Sequence, residues 1–159
     1  MILIADSSAL VALSVCDSLE LLDQLFKEVI VPEAVYLEVI KSDKPEALAL
    51  KEYLQEKVRK VDMSTFIYLD GNADEGEMEA MFLYKQEQAD KLLIDDKRGK
   101  KIAKINGINT IGSLGVLLSA KQAGLITEIK PKLEAIKASR VYLSQSVINM
   151  VLELALETD

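Results

Sequence analysis

Four acids, Asp6, Glu38, Glu77 and Asp95, each interrupt or end an apolar segment of a 159-residue chain that contains no histidine. Without imidazole, the Ser-His and Cys-His nucleophile systems, the usual histidine base and most zinc sites are excluded. Oxygen chemistry is left: hard divalent cations, Mg²⁺ or Mn²⁺, bound by clustered carboxylates. At about 5 Å and an effective dielectric near 20, two ionised carboxylates repel by roughly 3 kcal/mol, so four converging acids oppose folding unless a cation lies among them. Such a cation lowers the pKa of a bound water and neutralises a leaving oxygen, which suits phosphodiester hydrolysis and requires no protein base.

The positions of the acids are consistent with convergence. Asp6 follows the apolar run 2–5 and Asp95 follows the run 92–94; in parallel sheets the loops beyond the carboxyl ends of strands collect ligands. A simple N-cap role is the competing reading for both, although Ser7 and Asp96 are equally able to cap the helices that follow. Glu38 lies in a helix opening at Pro32, with Ala34 and Val35 on its face. Glu77 completes a capping box with Asp74 and shares a face with Ala80, Met81 and Tyr84. After Asp95 comes the run Asp96-Lys97-Arg98-Gly99-Lys100-Lys101, with Lys104 one turn on. A helix there presents N–H groups and cations suited to a phosphate backbone, or a merely solvated basic face.

The elements that must position these residues alternate. Short β-branched runs at 2–5, 29–31, 92–94 and 108–111 are separated by helical periodicity near 8–14, 17–26, 33–41, 45–57, 75–89, 97–106 and 113–123. That alternation predicts an α/β fold with a largely parallel sheet. Gly107 and Gly124 stand where left-handed residues end two of these helices. Loops are expected at 43–45 and 70–73. Residues 127–159 read as a helical tail packed on the domain formed by 1–126. In its last helix Ile148, Val151, Leu152 and Ala155 form a stripe that Val147, Met150 and Leu154 broaden, enough for a subunit or partner contact as well as the domain core.

Charge is divided unevenly. Residues 1–90 hold 8 Lys and Arg against 19 Asp and Glu, and residues 91–159 hold 11 against 7, within a net charge of −7. The overall sign opposes general nucleic-acid affinity, while the local balance suits an acidic crevice with a basic rim. Cys16 is the sole cysteine, so no internal disulfide forms and a buried apolar role is expected. No basic leader precedes the first apolar run and no run reaches membrane-spanning length, so a cytoplasmic protein is expected.

In order along the chain, Asp6-Ser7-Ser8-Ala9-Leu10, Val31-Pro32-Glu33-Ala34-Val35 leading to Glu38, Gly76-Glu77-Met78-Glu79-Ala80 and Leu92-Leu93-Ile94-Asp95-Asp96 resemble the PIN-domain family of Mg²⁺/Mn²⁺-dependent ribonucleases, the fold of VapC-type toxins. Gly112-Ser113-Leu114-Gly115-Val116-Leu117 and Ala120-Lys121 resemble a subgroup with a helical C-terminal tail. The resemblance implies a three-layer α/β/α sandwich and a metal site of Asp6, Glu38, Glu77 and Asp95, with Asp95 the principal ligand of its pair, Asp96 auxiliary and the Ser7 hydroxyl in support. It further implies an endoribonuclease that is the toxin of a toxin–antitoxin pair and works as a homodimer, with RNA phosphates on Lys97, Arg98, Lys100 and Lys101. A non-catalytic PIN-like module that binds RNA or protein is the alternative. An aspartyl-phosphate enzyme fits poorly, because Ser7-Ser8 follow Asp6 where a second Asp is needed.

Overall fold

The first strand, β1 (Ile2–Ala5), sends its apolar side chains to both faces, as a strand covered on both sides must. It lies at the centre of a five-stranded sheet of order β3-β2-β1-β4-β5, completed by β2 (Glu28–Pro32), β3 (Val58–Arg59), β4 (Lys91–Leu93) and β5 (Thr110–Ile111). All four pairings are parallel, with Ile4 opposite Ile30 on one side and Leu92 on the other. This computed structural model describes residues 1–64 and 73–158.

Period-two alternation divides the core in two. Leu3, Ala5, Val29, Val31 and Leu93 face a layer built by α1 (Ser7–Val15), α2 (Glu20–Leu25), α3 (Glu33–Ile40), α4 (Ala47–Leu54) and α7 (Ser113–Gln122). Ile4, Ile30, Leu92 and Ile94 face α5 (Glu75–Gln86) and α6 (Lys97–Ile105). The result is a three-layer α/β/α sandwich around a parallel sheet. The tail helices, α8 (Lys130–Ala138) and α9 (Gln145–Leu154), send Leu133, Ile136, Ile148 and Val151 into the first core. Glu157 fastens the tail: its carboxylate accepts the Ile129 and Lys130 amides at the start of α8 and pairs with Lys121 at 2.9 Å.

Several boundaries differ from the sequence expectation. The candidate helix 45–57 ends at Leu54, because Val58 and Arg59 pair with Val31 and Pro32 as β3. The helix expected over 17–26 starts only at Glu20, after Asp17 adopts a left-handed φ of 52°. Gly107 and Gly124 do adopt the left-handed conformation, at φ 69° and 77°. The stretch 43–45 is a loop between α3 and α4. Of the loop expected at 70–73, residues 70–72 lie outside the described residues. Cys16 is buried. Among the described residues no helix is long and apolar enough to cross a membrane.

Candidate functional site

Sheet order places the site. The chain winds outward from β1 through β2 to β3, then returns to lay β4 and β5 on the opposite side, so the carboxyl ends of β1 and β4 flank the switch point where a crevice opens. Asp6 and the Asp95–Asp96 pair follow those two strands, and the Asp6 amide donates to the Leu93 carbonyl at 2.8 Å.

Asp6 occupies the N-cap position of α1 with extended backbone, yet its side chain makes no capping bond. Asp6 is 3% exposed, and among the described residues its Oδ1 has no hydrogen-bond partner. Burial, with repulsion from Asp74, Glu77 and Glu38, pushes its pKa up to about 7 despite the opposing effect of the Ser7 amide.

Glu77 is buried on α5 and forms the expected capping box: its amide donates to Asp74 Oδ1 at 2.7 Å, and its Oε2 accepts the Asp74 amide at 3.3 Å. Its pKa is also pushed up to about 7, first by desolvation, then by Asp74, with the Asp74 amide opposing and the charge and hydrogen bonding of Asp96 adding to the rise. Glu38 is exposed on α3 and reaches the same cluster from the other side.

Two glycines allow this close approach. A Cβ on Gly76 would lie 3.2 Å from Glu38 Oε2 and 3.5 Å from Asp74 Oδ1. A Cβ on Gly99 would lie 2.5 Å from Ile94 Cδ1 and 3.3 Å from Glu77 Oε1.

The adjacent acids at the end of β4 point to different tasks. Both Asp95 oxygens are engaged by Ser113, Oδ1 accepting its amide and Oδ2 its hydroxyl, each at 2.7 Å. Asp95 thus ties β4 to the start of α7. Asp96 caps α6 through Oδ2, which accepts the Gly99 amide at 2.7 Å, and also faces Glu77. The cluster therefore brings together Asp6, Glu38, Asp74, Glu77 and Asp96. Ser7 lines a crevice together with Glu38. On α6, Lys97, Arg98 and Lys101 are exposed, while Lys100 is half-buried close to Asp95.

The donors are all oxygen, and a buried unpartnered carboxylate oxygen among further acids is the chemistry a hard cation meets. The side chains as placed do not complete a coordination shell: among the described residues no group of three or more His, Cys, Asp or Glu has metal-holding geometry.

A family model described as "DUF3368: PIN domain" matches residues 2–157. The chain belongs to the PIN-domain family. The match takes in the helical tail as well as the sheet, so α8 and α9 are part of this PIN domain's pattern. A PilT N-terminus domain protein from the hyperthermophilic archaeon Sulfolobus solfataricus P2 is similar in structure, with a TM-score of 0.56 and 24% identity over 76% of this chain and 93% of that one. That likeness concerns the fold. No curated protein matches the chain.

Proposed function

We propose that this PIN domain binds RNA along its crevice and hydrolyses a phosphodiester bond there with Mg²⁺ or Mn²⁺ held by Asp6, Glu38, Glu77 and Asp96. The observation that carries the reading is Asp6 Oδ1, buried beside further acids and without a partner among the described residues. Among the described residues the Ser7 amide is the one group that eases that charge, against the burial and the neighbouring acids that oppose it, and a cation would ease it further. When bound, such an ion supplies an activated water and charge neutralisation at the leaving oxygen. The chain's own residues supply position: β1 and β4 fix Asp6 and Asp96, α5 fixes Glu77, and the Ser7 hydroxyl stands at the crevice beside Glu38. The cations of α6 hold the phosphates that flank the bond to be cut.

Within this reading the protein is the toxin of a toxin–antitoxin pair and acts as a homodimer in the cytoplasm. Its apolar tail surface, with Tyr142, Met150, Leu154 and Leu156 exposed, supports a protein contact.

A second reading, a non-catalytic module that binds RNA or protein through the same scaffold, is favoured by the incomplete convergence of the acids. Incubating the protein with a mixed-sequence single-stranded RNA, with and without Mn²⁺, separates the two. The hydrolase reading expects Mn²⁺-dependent fragments that Asp6→Asn abolishes. RNA retained intact under all conditions, with binding preserved, supports the module.

A further inference from the structure

Beside the acids lies more space than an ion and a phosphate require. A crevice of about 410 Å³ extends from Ser7 and Glu38 past α1, α3 and α4 to the loop between α8 and α9. That volume is within the about 300–1,000 Å³ typical of small-ligand sites. One part of its wall is apolar, made by Val11, Val39, Leu50 and Val141; another is an ion pair, in which Arg140 Nη2 donates to Glu46 Oε1. The Glu46 side chain is buried and that of Arg140 is partly exposed. The helical tail therefore contributes Arg140 and Val141 to a pocket that opens onto the acid cluster.

We infer that this crevice is a nucleotide subsite that takes one unpaired base of the RNA, and that Arg140 reads this base as guanine. The inference rests on the RNA reading above and names the base held next to the reacting phosphate. Unpaired bases are recognised by being splayed out against aromatic, guanidinium or apolar side chains and read at their edges, and the half-buried Val11 and Val141 offer an apolar contact, with Val39 and Leu50 buried behind them. A guanidinium carries five donors in a fixed fork. Glu46 takes up one nitrogen of Arg140 and anchors that end of the guanidinium, leaving further donors on a side chain that lines the crevice. Guanine is the base that presents two adjacent acceptors, O6 and N7, to such a fork; adenine presents a donor in place of O6. Glu46 also neutralises Arg140, so this wall discriminates bases without acting as a general phosphate site, a task that falls to α6. The subsite gives the tail a function beyond closing the core: it carries the residue that selects the sequence.

The test uses full-length protein in chelator at low salt, so that cleavage does not interfere, with fluorescent heptamers of uridine bearing one central guanosine, adenosine or 7-deazaguanosine. The guanosine heptamer is expected to bind about tenfold more tightly than the adenosine one. The 7-deaza base, which lacks the N7 acceptor, should lose a good part of that advantage without any change to the protein. Arg140→Lys keeps the charge and loses the fork; it should abolish the difference between the guanosine and adenosine heptamers measured on that variant. Equal affinity of folded wild-type protein for guanosine and adenosine heptamers overturns the subsite, as does a preference that survives in Arg140→Lys. No RNA binding at all, with a protein segment crosslinking to the crevice instead, overturns both this inference and the RNA reading. A guanine preference without Mn²⁺-dependent cleavage supports the subsite and removes only the hydrolase reading.

Discussion

Adjacent acids of identical type, Asp95 and Asp96, show how far residue identity falls short of residue role. The family resemblance implied Asp95 as the principal ligand; its carboxylate also has a structural task, being engaged by a serine 18 positions later, a contact that exists only once β5 has brought α7 alongside β4. Asp95→Asn is expected to weaken that charge-assisted pair and cost about 1–3 kcal/mol of stability, with metal affinity retained. Asp96→Asn should fold normally, because Asn caps helices as well as Asp does, and should lose metal affinity. Parallel denaturation and metal titrations on the two variants check the assignment. Apolar neighbours marked Asp6 and Glu77 as facing inward, and both are buried, whereas Glu38 is exposed; the closeness of Asp74 to Asp6 and Glu77 was hidden by its capping role, which explained the residue already.

The same scale yields a pH signature. Asp6 has a folded pKa near 7 against an ordinary value of 3.8. An acid whose pKa rises on folding stabilises the native state below its ordinary pKa, and that contribution is lost as pH climbs through the folded value. Metal-free Asp6→Asn, which never ionises, should therefore gain stability relative to wild type as pH rises from about 4 to about 7, then keep a constant lead of roughly 2–4 kcal/mol. Thermal melts in chelator across this range check it; a lead that shrinks with pH contradicts the buried-charge account.

At the level of elements, the long helices and the three inner strands could be read from periodicity. The two-residue edge strand β3 could not, since Val58-Arg59 carries no pattern of its own and is defined by pairing to β2. The tail's packing was visible as an apolar stripe, but not what fastens it. Glu157 lies far in sequence from the α8 amides it accepts and from Lys121. Glu157→Ala should cost about 1–3 kcal/mol, read by denaturant unfolding, because it takes this acceptor from the buried Ile129 amide. On α6, Lys97→Glu with Lys101→Glu should weaken RNA binding for all sequences and flatten the salt dependence by about 0.7 per lost phosphate contact. An unchanged slope would make that helix face an ordinary solvated one.

For the whole molecule, the uneven charge gains meaning from the sheet order, which sets the basic helix α6 beside the acids contributed mostly by the first half of the chain. Two-fold pairing through the exposed apolar side chains of the tail would place two such crevices on one particle. Light scattering at micromolar concentration should give a dimer that Met150→Glu with Leu154→Glu converts to monomer. The central claim is that the crevice is a divalent-cation site. Calorimetric titration of Mn²⁺ into the full-length protein tests it most directly: wild type and Asp95→Asn should bind, while Asp6→Asn and Asp96→Asn should bind far more weakly. A folded wild-type protein that takes up no heat with Mn²⁺ at millimolar concentration would contradict the account.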